Sequence, residues 1–136
     1  MEDVIGRLID ETGRGNAVAL ASLVWSTGSI PMSDSAKMLV TEQGEVVGTI
    51  GGGCLEAEVY TAGQSVLQSN IPCDMRYTMT EKQAGENGLN CGGTVRIYTE
   101  RIDAAGGGEA YAEIEKAKAQ RAARILITEL NGQRRF

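Results

Sequence analysis

The sequence predicts an α/β fold: a single domain in which a mixed β-sheet is packed by about three helices. Three observations predict it. At 136 residues the chain has room for one domain, which can bury roughly two-thirds of the surface its unfolded form exposes. Ala17 to Trp25 (AVALASLVW) is an unbroken apolar run of strand length, as expected of a strand covered on both faces. Segments with helical periodicity stand between the strand-like ones.

In chain order, Val4, Ile5, Leu8 and Ile9 recur at helical spacing before Gly13 and Gly15, predicting a short amphipathic helix over 3–12. The 17–25 strand breaks at Ser26-Thr27-Gly28-Ser29-Ile30-Pro31. Lys37–Thr41 and Glu45–Thr49 are short strands around a Gln43-Gly44 turn. After Gly51-Gly52-Gly53, Leu55, Val59, Ala62 and Val66 predict a helix to about Gln68. Cys73–Met79 has strand character, 81–90 reads as a polar loop, and Thr94–Ile102 (TVRIYTERI) alternates as a strand wet on one side. Gly106-Gly107-Gly108 reads as a flexible joint before a helix over Glu109–Ala123. Arg124–Leu130 is a last strand, and Asn131-Gly132 is a hairpin signal whose returning strand would be Gln133–Phe136. Such a barely begun arm is expected either of a chain cut from something longer or of a polar tail. An unfinished edge strand tends to pair with another chain, which makes a homodimer through this strand an expectation.

Composition excludes several functions. Thirteen Lys and Arg against 18 Asp and Glu give a net charge of −5, the wrong sign for a nucleic-acid footprint. No apolar run approaches a membrane span of about 20 residues. The acidic start Met1-Glu2-Asp3 is unlike a signal peptide, which leaves the cytoplasm as the default compartment. Three Cys, an odd number, argue against a secreted disulfide framework, and no CxxC supports a thioredoxin-like or zinc-ribbon reading. The absence of His removes Ser-His and Cys-His catalysis and most zinc sites.

Three segments could carry chemistry. Gly48-Thr49-Ile50-Gly51-Gly52-Gly53-Cys54-Leu55-Glu56 joins a strand end to a helix start. Its glycines let a ligand approach the main chain, and a helix N-terminus favours an anion. It is neither a Walker A nor a GxGxxG signature, since Cys54-Leu55 and Glu56 stand where those need Lys-Ser/Thr or Gly. A tight turn packing helix against sheet explains the same glycines, and on physics alone stands ahead. Gly88-Leu89-Asn90-Cys91-Gly92-Gly93 sets a thiol on open backbone; Cys54 lies at a helix start, where the dipole raises thiolate character. These thiols could bind a soft ligand, carry sulfur, or simply fill gaps as buried Cys does. Cys73, beside a strand, reads as structural. The hydroxyls of Ser26, Thr27 and Ser29 occupy a loop after a buried strand, where ligands often bind, but taken alone ordinary turn chemistry accounts for them better. Glu56 suits the first turn of its helix.

Read in order, these segments resemble the N-terminal domain of the XdhC/CoxI family, the xanthine dehydrogenase accessory proteins. The family pattern is a strand, a Gly-Ser-x-Pro-Arg loop, a Gly-Ala-x-Met-Leu-Val strand, Gly-Thr-Ile-Gly-Gly-Gly-x-Leu-Glu, and a Cys-Gly-Gly strand start ending in an acidic residue. Here it is met by Gly28-Ser29-Ile30-Pro31, Ala36 to Val40, Gly48 to Glu56, and Cys91-Gly92-Gly93 with Glu100, over about 17–102. Residues 103–136 would be a linker, a helix and a truncated hairpin, without the C-terminal Rossmann domain of larger members.

The resemblance implies a molybdenum-cofactor-binding maturation factor, a chaperone rather than a catalyst, that assists sulfuration of the cofactor and its insertion into a molybdenum hydroxylase. It implies cofactor contacts at Ser29, Gly51, Gly52, Gly53, Cys54, Glu56, Cys91, Gly92 and Gly93, with Cys91 near the molybdenum. The implied partners are the hydroxylase apoenzyme and a cysteine desulfurase. Met32 replaces the family's Arg and Ser35 its Gly, which removes a bidentate phosphate partner. The alternative is therefore a non-catalytic interaction or assembly domain that keeps the scaffold without the ligand. A thiol redox enzyme is the weakest reading, with neither His nor CxxC behind it.

Overall fold

The computed structural model describes residues 3–28, 35–51, 53–78, 93–130 and 134–135, with the side chains of Cys54, Arg134 and Arg135 left aside. Its elements are α1 (Val4–Gly13), β1 (Val18–Thr27), β2 (Lys37–Thr41), β3 (Val46–Thr49), α2 (Gly53–Ser69), β4 (Cys73–Thr78) and β5 (Thr94–Ile102). A π-helical turn (Ala104–Gly108), α3 (Glu109–Ala119) and two short strands, β6 (Ile127–Thr128) and β7 (Arg134–Arg135), follow.

Alternation along β1 sets the layers. Ala19, Ala21 and Leu23 pack with Met38, Val40, Ile50, Leu55, Val59, Val95 and Ile97 beneath α2. Val18 and Leu20 pack with Leu8, Leu39, Val47, Ile102 and Tyr111 beneath α1 and α3. The apolar run therefore reads as it does because both faces of the strand are covered. Small residues let α2 come close: a Cβ on Gly63 would sit 3.4 Å from Ala19 Cβ and 3.1 Å from Val40 Cγ2.

The main sheet has the order β3-β2-β1-β5-β4. Within the expected α/β architecture, its four pairings are all antiparallel, where a mixed sheet was expected. The reason lies in the connections. β2 and β3 are joined by a tight turn in which Gly44, at φ 87°, donates its N–H to Thr41 O at 3.0 Å. β3 and β4 run parallel, but α2 carries the chain between opposite edges, so those strands never become neighbours.

Three local readings change. Gly106–Gly108 is a packed turn and not a flexible joint. Asp103 Oδ1 accepts the Gly106 N–H at 2.6 Å, and a Cβ on Gly108 would lie 2.8 Å from Thr12 Oγ1 of α1. α3 ends at Ala119 and not at Ala123, because Arg121 turns left-handed at φ 56°. There Ala122 N–H bonds Ala117 O at 2.8 Å and Arg121 N–H bonds Lys118 O at 3.1 Å, the double closure of a Schellman end. The strand expected over 124–130 shrinks to Ile127–Thr128, paired with Arg134–Arg135 as a separate ribbon. The expected loop over 81–90 and the Asn131-Gly132 turn lie outside the described residues.

Candidate functional site

The strand directions bring the ends that flank all three candidate segments to one end of the sheet. β1 leaves it at Thr27, β3 at Thr49 and β4 at Thr78, while β2 enters at Lys37 and β5 at Thr94. Thr27, Thr94 and Thr78 are in register, as are Ser22, Lys37 and Thr49. The two rows are staggered. β1, β4 and β5 project beyond the β2–β3 ribbon by the five residues from Ser22 to Thr27, roughly 15 Å at strand rise.

At the end of β3 one glycine re-aims the chain. Gly48 has φ 81°, and a Cβ there would lie 2.5 Å from Val4 Cγ2 and 2.6 Å from Lys37 O. Val47 already faces α1, so a Gly48 side chain aimed at Val4 breaks the two-residue alternation. Thr49 is then delivered to the α2 side, where its hydroxyl donates to Glu56 Oε1 in the first turn of that helix. The same oxygen of Thr49 accepts the Gly51 N–H at 3.2 Å. Ile50, fully buried, pins the turn from below. Gly51 at φ 127° and Gly53 at φ 65° then carry the backbone into α2 in conformations that favour glycine. Thr49 is the residue that sequence reasoning missed; its signal was a hydroxyl two positions before the glycine triplet.

Of the expected contact residues, Gly51 is half-buried, Gly53 is exposed, and Glu56 is half-buried against Thr49. Gly93 is buried immediately before β5. Cys54 has its backbone in the first turn of α2. Ser29, Gly52, Cys91 and Gly92, with Met32, lie outside the described residues, while Ser35 is exposed just ahead of β2. The arrangement can offer main-chain N–H groups and the positive end of a 17-residue helix to an anion. Bare glycine backbone fits the phosphate end of a pterin cofactor; the carboxylate nearest the turn, Glu56, is already taken up by Thr49.

Two further groups of the sheet are shifted from their ordinary pKa values by burial. Lys37 Nζ donates to Ser22 Oγ at 3.0 Å, and burial lowers its pKa from the ordinary lysine value. Cys73 opens β4 at the other end of the sheet and is a free thiol. Burial first, then the neighbouring Asp74 charge, pushes its pKa up, so it stays protonated, in keeping with a structural role. Among the described residues no group of three or more Cys, Asp or Glu could hold a metal ion, and no helix is long and apolar enough to cross a membrane.

The stretch from the end of α1 through β4, which contains the re-aimed Thr49 and the glycine turn, matches the sequence profile of the XdhC and CoxI family over residues 12–78. Residues 12–78 belong to the XdhC and CoxI family. Two curated proteins are similar to this chain in sequence. The Escherichia coli (strain K12) protein named "Uncharacterized protein YqeB" is 39% identical over 80 residues, which is 59% of this chain and 15% of that protein. A Bacillus subtilis (strain 168) protein, named as a probable subunit of xanthine dehydrogenase, is 31% identical over 87 residues, 61% of this chain and 26% of that one. This chain thus spans about a quarter or less of the length of these relatives. Among solved structures, one described as a xanthine dehydrogenase from Bacillus halodurans superposes with a TM-score of 0.70 at 24% identity. The superposition covers 85% of this chain and 35% of that one, and it shows a shared fold.

Proposed function

We propose that this chain is an accessory module in the maturation of xanthine dehydrogenase-type molybdenum hydroxylases, binding the pterin molybdenum cofactor while it is sulfurated and handed to the apoenzyme. The observation that supports this reading most is the common sheet end: the strand termini flanking the Ser29, Gly51–Gly53 and Cys91–Gly93 segments all lie there. One relative is named as a probable xanthine dehydrogenase subunit, and this supports xanthine dehydrogenase-type enzymes as the client class.

In this reading the main chain of Gly51, Gly52 and Gly53 and the start of α2 hold the phosphate, with Ser29 adding a hydroxyl. Glu56 holds Thr49 and so keeps the turn open. In the same reading Cys91 would serve beside the metal or as a sulfur carrier, with Cys54 as a second thiol; thiolates suit both tasks as soft ligands and nucleophiles. When bound, the cofactor supplies the metal centre the client enzyme needs. The chain carries it, without a catalytic residue of its own. The partners are the apoenzyme and a cysteine desulfurase as sulfur donor.

The test is an anoxic titration of the reduced, purified protein with molybdopterin. Saturable binding, weakened by Cys91→Ser and by Gly52→Val, is expected; absence of saturation overturns the reading. Met32, where the family has Arg, favours one second reading, a scaffold that has lost its ligand and serves in assembly. If so, wild type binds no cofactor and Met32→Arg with Ser35→Gly creates anion binding.

A further inference from the structure

The projecting part of the sheet carries a patch that the cofactor reading does not use. Opposite Arg96, β1 holds an extra residue: register passes from Leu23 to Trp25 across a bulge. A bulge sets two residues against one, so Val24 and Trp25 stand together on the face that α1 and α3 cover further down. Those helices end short of them, and Val24 remains 40% and Trp25 46% exposed. Two strands away, Arg76 brings its guanidinium carbon to 5.4 Å from the centre of the Trp25 ring. Between them Arg96 is held by Asp74, with Nε donating to Oδ1 at 2.8 Å and Nη2 to Oδ2.

The patch is thus a tryptophan and a valine beside two guanidinium groups that share one carboxylate, Asp74, which is ion-paired with Arg96 and also feels the charge of Arg76. In a chain of net charge −5 this is a local excess of positive charge. Exposed Trp and Arg together are the composition that dominates binding energy at protein interfaces. The stacked arginine keeps both functions: it shields one side of the ring while leaving its N–H groups free to meet a carboxylate.

We infer that this face docks an acidic, apolar-containing segment of another polypeptide, with Trp25 as the apolar anchor and Arg76 as its charged partner. A polynucleotide is a poorer occupant: a backbone-tracking site needs a run of cations and several stacking rings, and the rest of this chain is acidic.

Trp25 is the only tryptophan in the chain, so its fluorescence reports on the patch directly. The experiment titrates the intact protein with a seven-residue peptide alternating glutamate and leucine. Three probes run beside it: the lysine–leucine counterpart, oligothymidylate, and a fluorescein-labelled copy of the acidic peptide for anisotropy. The expected result is a saturable blue shift of Trp25 emission, protection from acrylamide quenching, and weakening by added salt. Arg76→Glu should reduce affinity about tenfold or more, and Trp25→Ala should do the same by anisotropy. Both variants must keep the wild-type far-ultraviolet dichroism; if one does not, Arg76→Gln and Trp25→Phe take their place. No saturable change up to about 1 mM, the weak end of specific binding, overturns the inference. So does equal binding of the lysine peptide, tighter binding of oligothymidylate, or a Trp25 already shielded from acrylamide in the free protein. No arm uses the cofactor, so cofactor binding without peptide binding sinks this inference alone, and the reverse sinks only the cofactor reading.

Discussion

Replacing Gly48 with Ala tests the geometry that sets the candidate site. The new methyl group would meet Val4 Cγ2 at 2.5 Å and the Lys37 carbonyl oxygen at 2.6 Å, and the second of these is backbone that cannot swing away. Holding a non-glycine residue at φ 81° adds about 1 kcal/mol, and forcing a methyl into filled space adds about 2 kcal/mol. The sum, about 3 kcal/mol, is a large part of the 5–15 kcal/mol or so by which domains are stable. At about 4 °C per kcal/mol for a chain of this size, Tm should fall by roughly 12 °C. Gly13→Ala is the matched control. Its Cβ meets nothing within 4 Å and its φ is not positive, so the same change there should be neutral or stabilise by up to about 1 kcal/mol. Urea and thermal unfolding of both variants measure the difference. If Gly48→Ala unfolds within about 0.5 kcal/mol of wild type, the ordinary surface range, then Gly48 does not need its left-handed backbone and the re-aiming of Thr49 is wrong.

Other outcomes follow from the same contacts. Gly108→Ala, whose Cβ would lie 2.8 Å from Thr12 Oγ1 and 2.9 Å from Asp103 O, should cost about 2 kcal/mol in urea unfolding by prising α3 from α1. Glu11, 3% exposed, accepts from Asn16 Nδ2 at 3.0 Å and Arg7 Nε at 3.2 Å, and these partners hold its carboxyl below its ordinary pKa. A depressed folded pKa means stability that is complete above the unfolded value of about 4.3 and is lost as pH falls through the folded one. Glu11→Gln should therefore destabilise by about 1–3 kcal/mol at neutral pH, with the gap to wild type narrowing in acid; an unchanged gap would remove the ion pair from the account. Because burial raises the Cys73 pKa, its alkylation by iodoacetamide in a variant lacking the other two thiols should be slower at pH 8 than that of an unfolded control. Sedimentation of a purely monomeric species at working concentration would remove the homodimer expected from the C-terminal strand.

Much of the fold was legible because periodicity reports burial. The run from Ala17 to Trp25 announced a strand covered on both sides. Leu55, Val59, Ala62 and Val66 announced α2, and all four are buried. Failures came where tertiary contact overrode a local sign. Glycines 106–108 looked like a hinge, yet Asp103 and Thr12 make them a packed corner. Arg121 gives no hint of ending a helix, since the left-handed cap position is ordinarily taken by glycine or asparagine. Antiparallel pairing was hidden because a helix between two strands normally signals parallel neighbours, and here it joins opposite edges. At the candidate site the glycines were readable as a turn, whereas the Thr49–Glu56 bond depends on the slip in alternation at Gly48, which no spacing rule encodes.

The staggered sheet end gives the two proposals a common physical basis. A flush edge would set every loop at one height and leave little sheet surface beyond the helices. Here the β2–β3 ribbon stops short by five residues, so the glycine turn sits low while β1, β4 and β5 continue past it. The low step offers bare main chain and a helix start, which suit a small anionic ligand. The projecting step exposes Val24, Trp25 and Arg76, which suit a larger chain. The glycine turn opens on the α2 side and the patch on the opposite face, so both ligands can be held at once, and a module that hands a cofactor on would gain from docking at one face altering release at the other. Occupancy of the Trp25 patch by the acidic peptide should therefore change the rate at which molybdopterin leaves. In stopped-flow displacement, identical release rates with and without saturating peptide would mean that the two steps work independently.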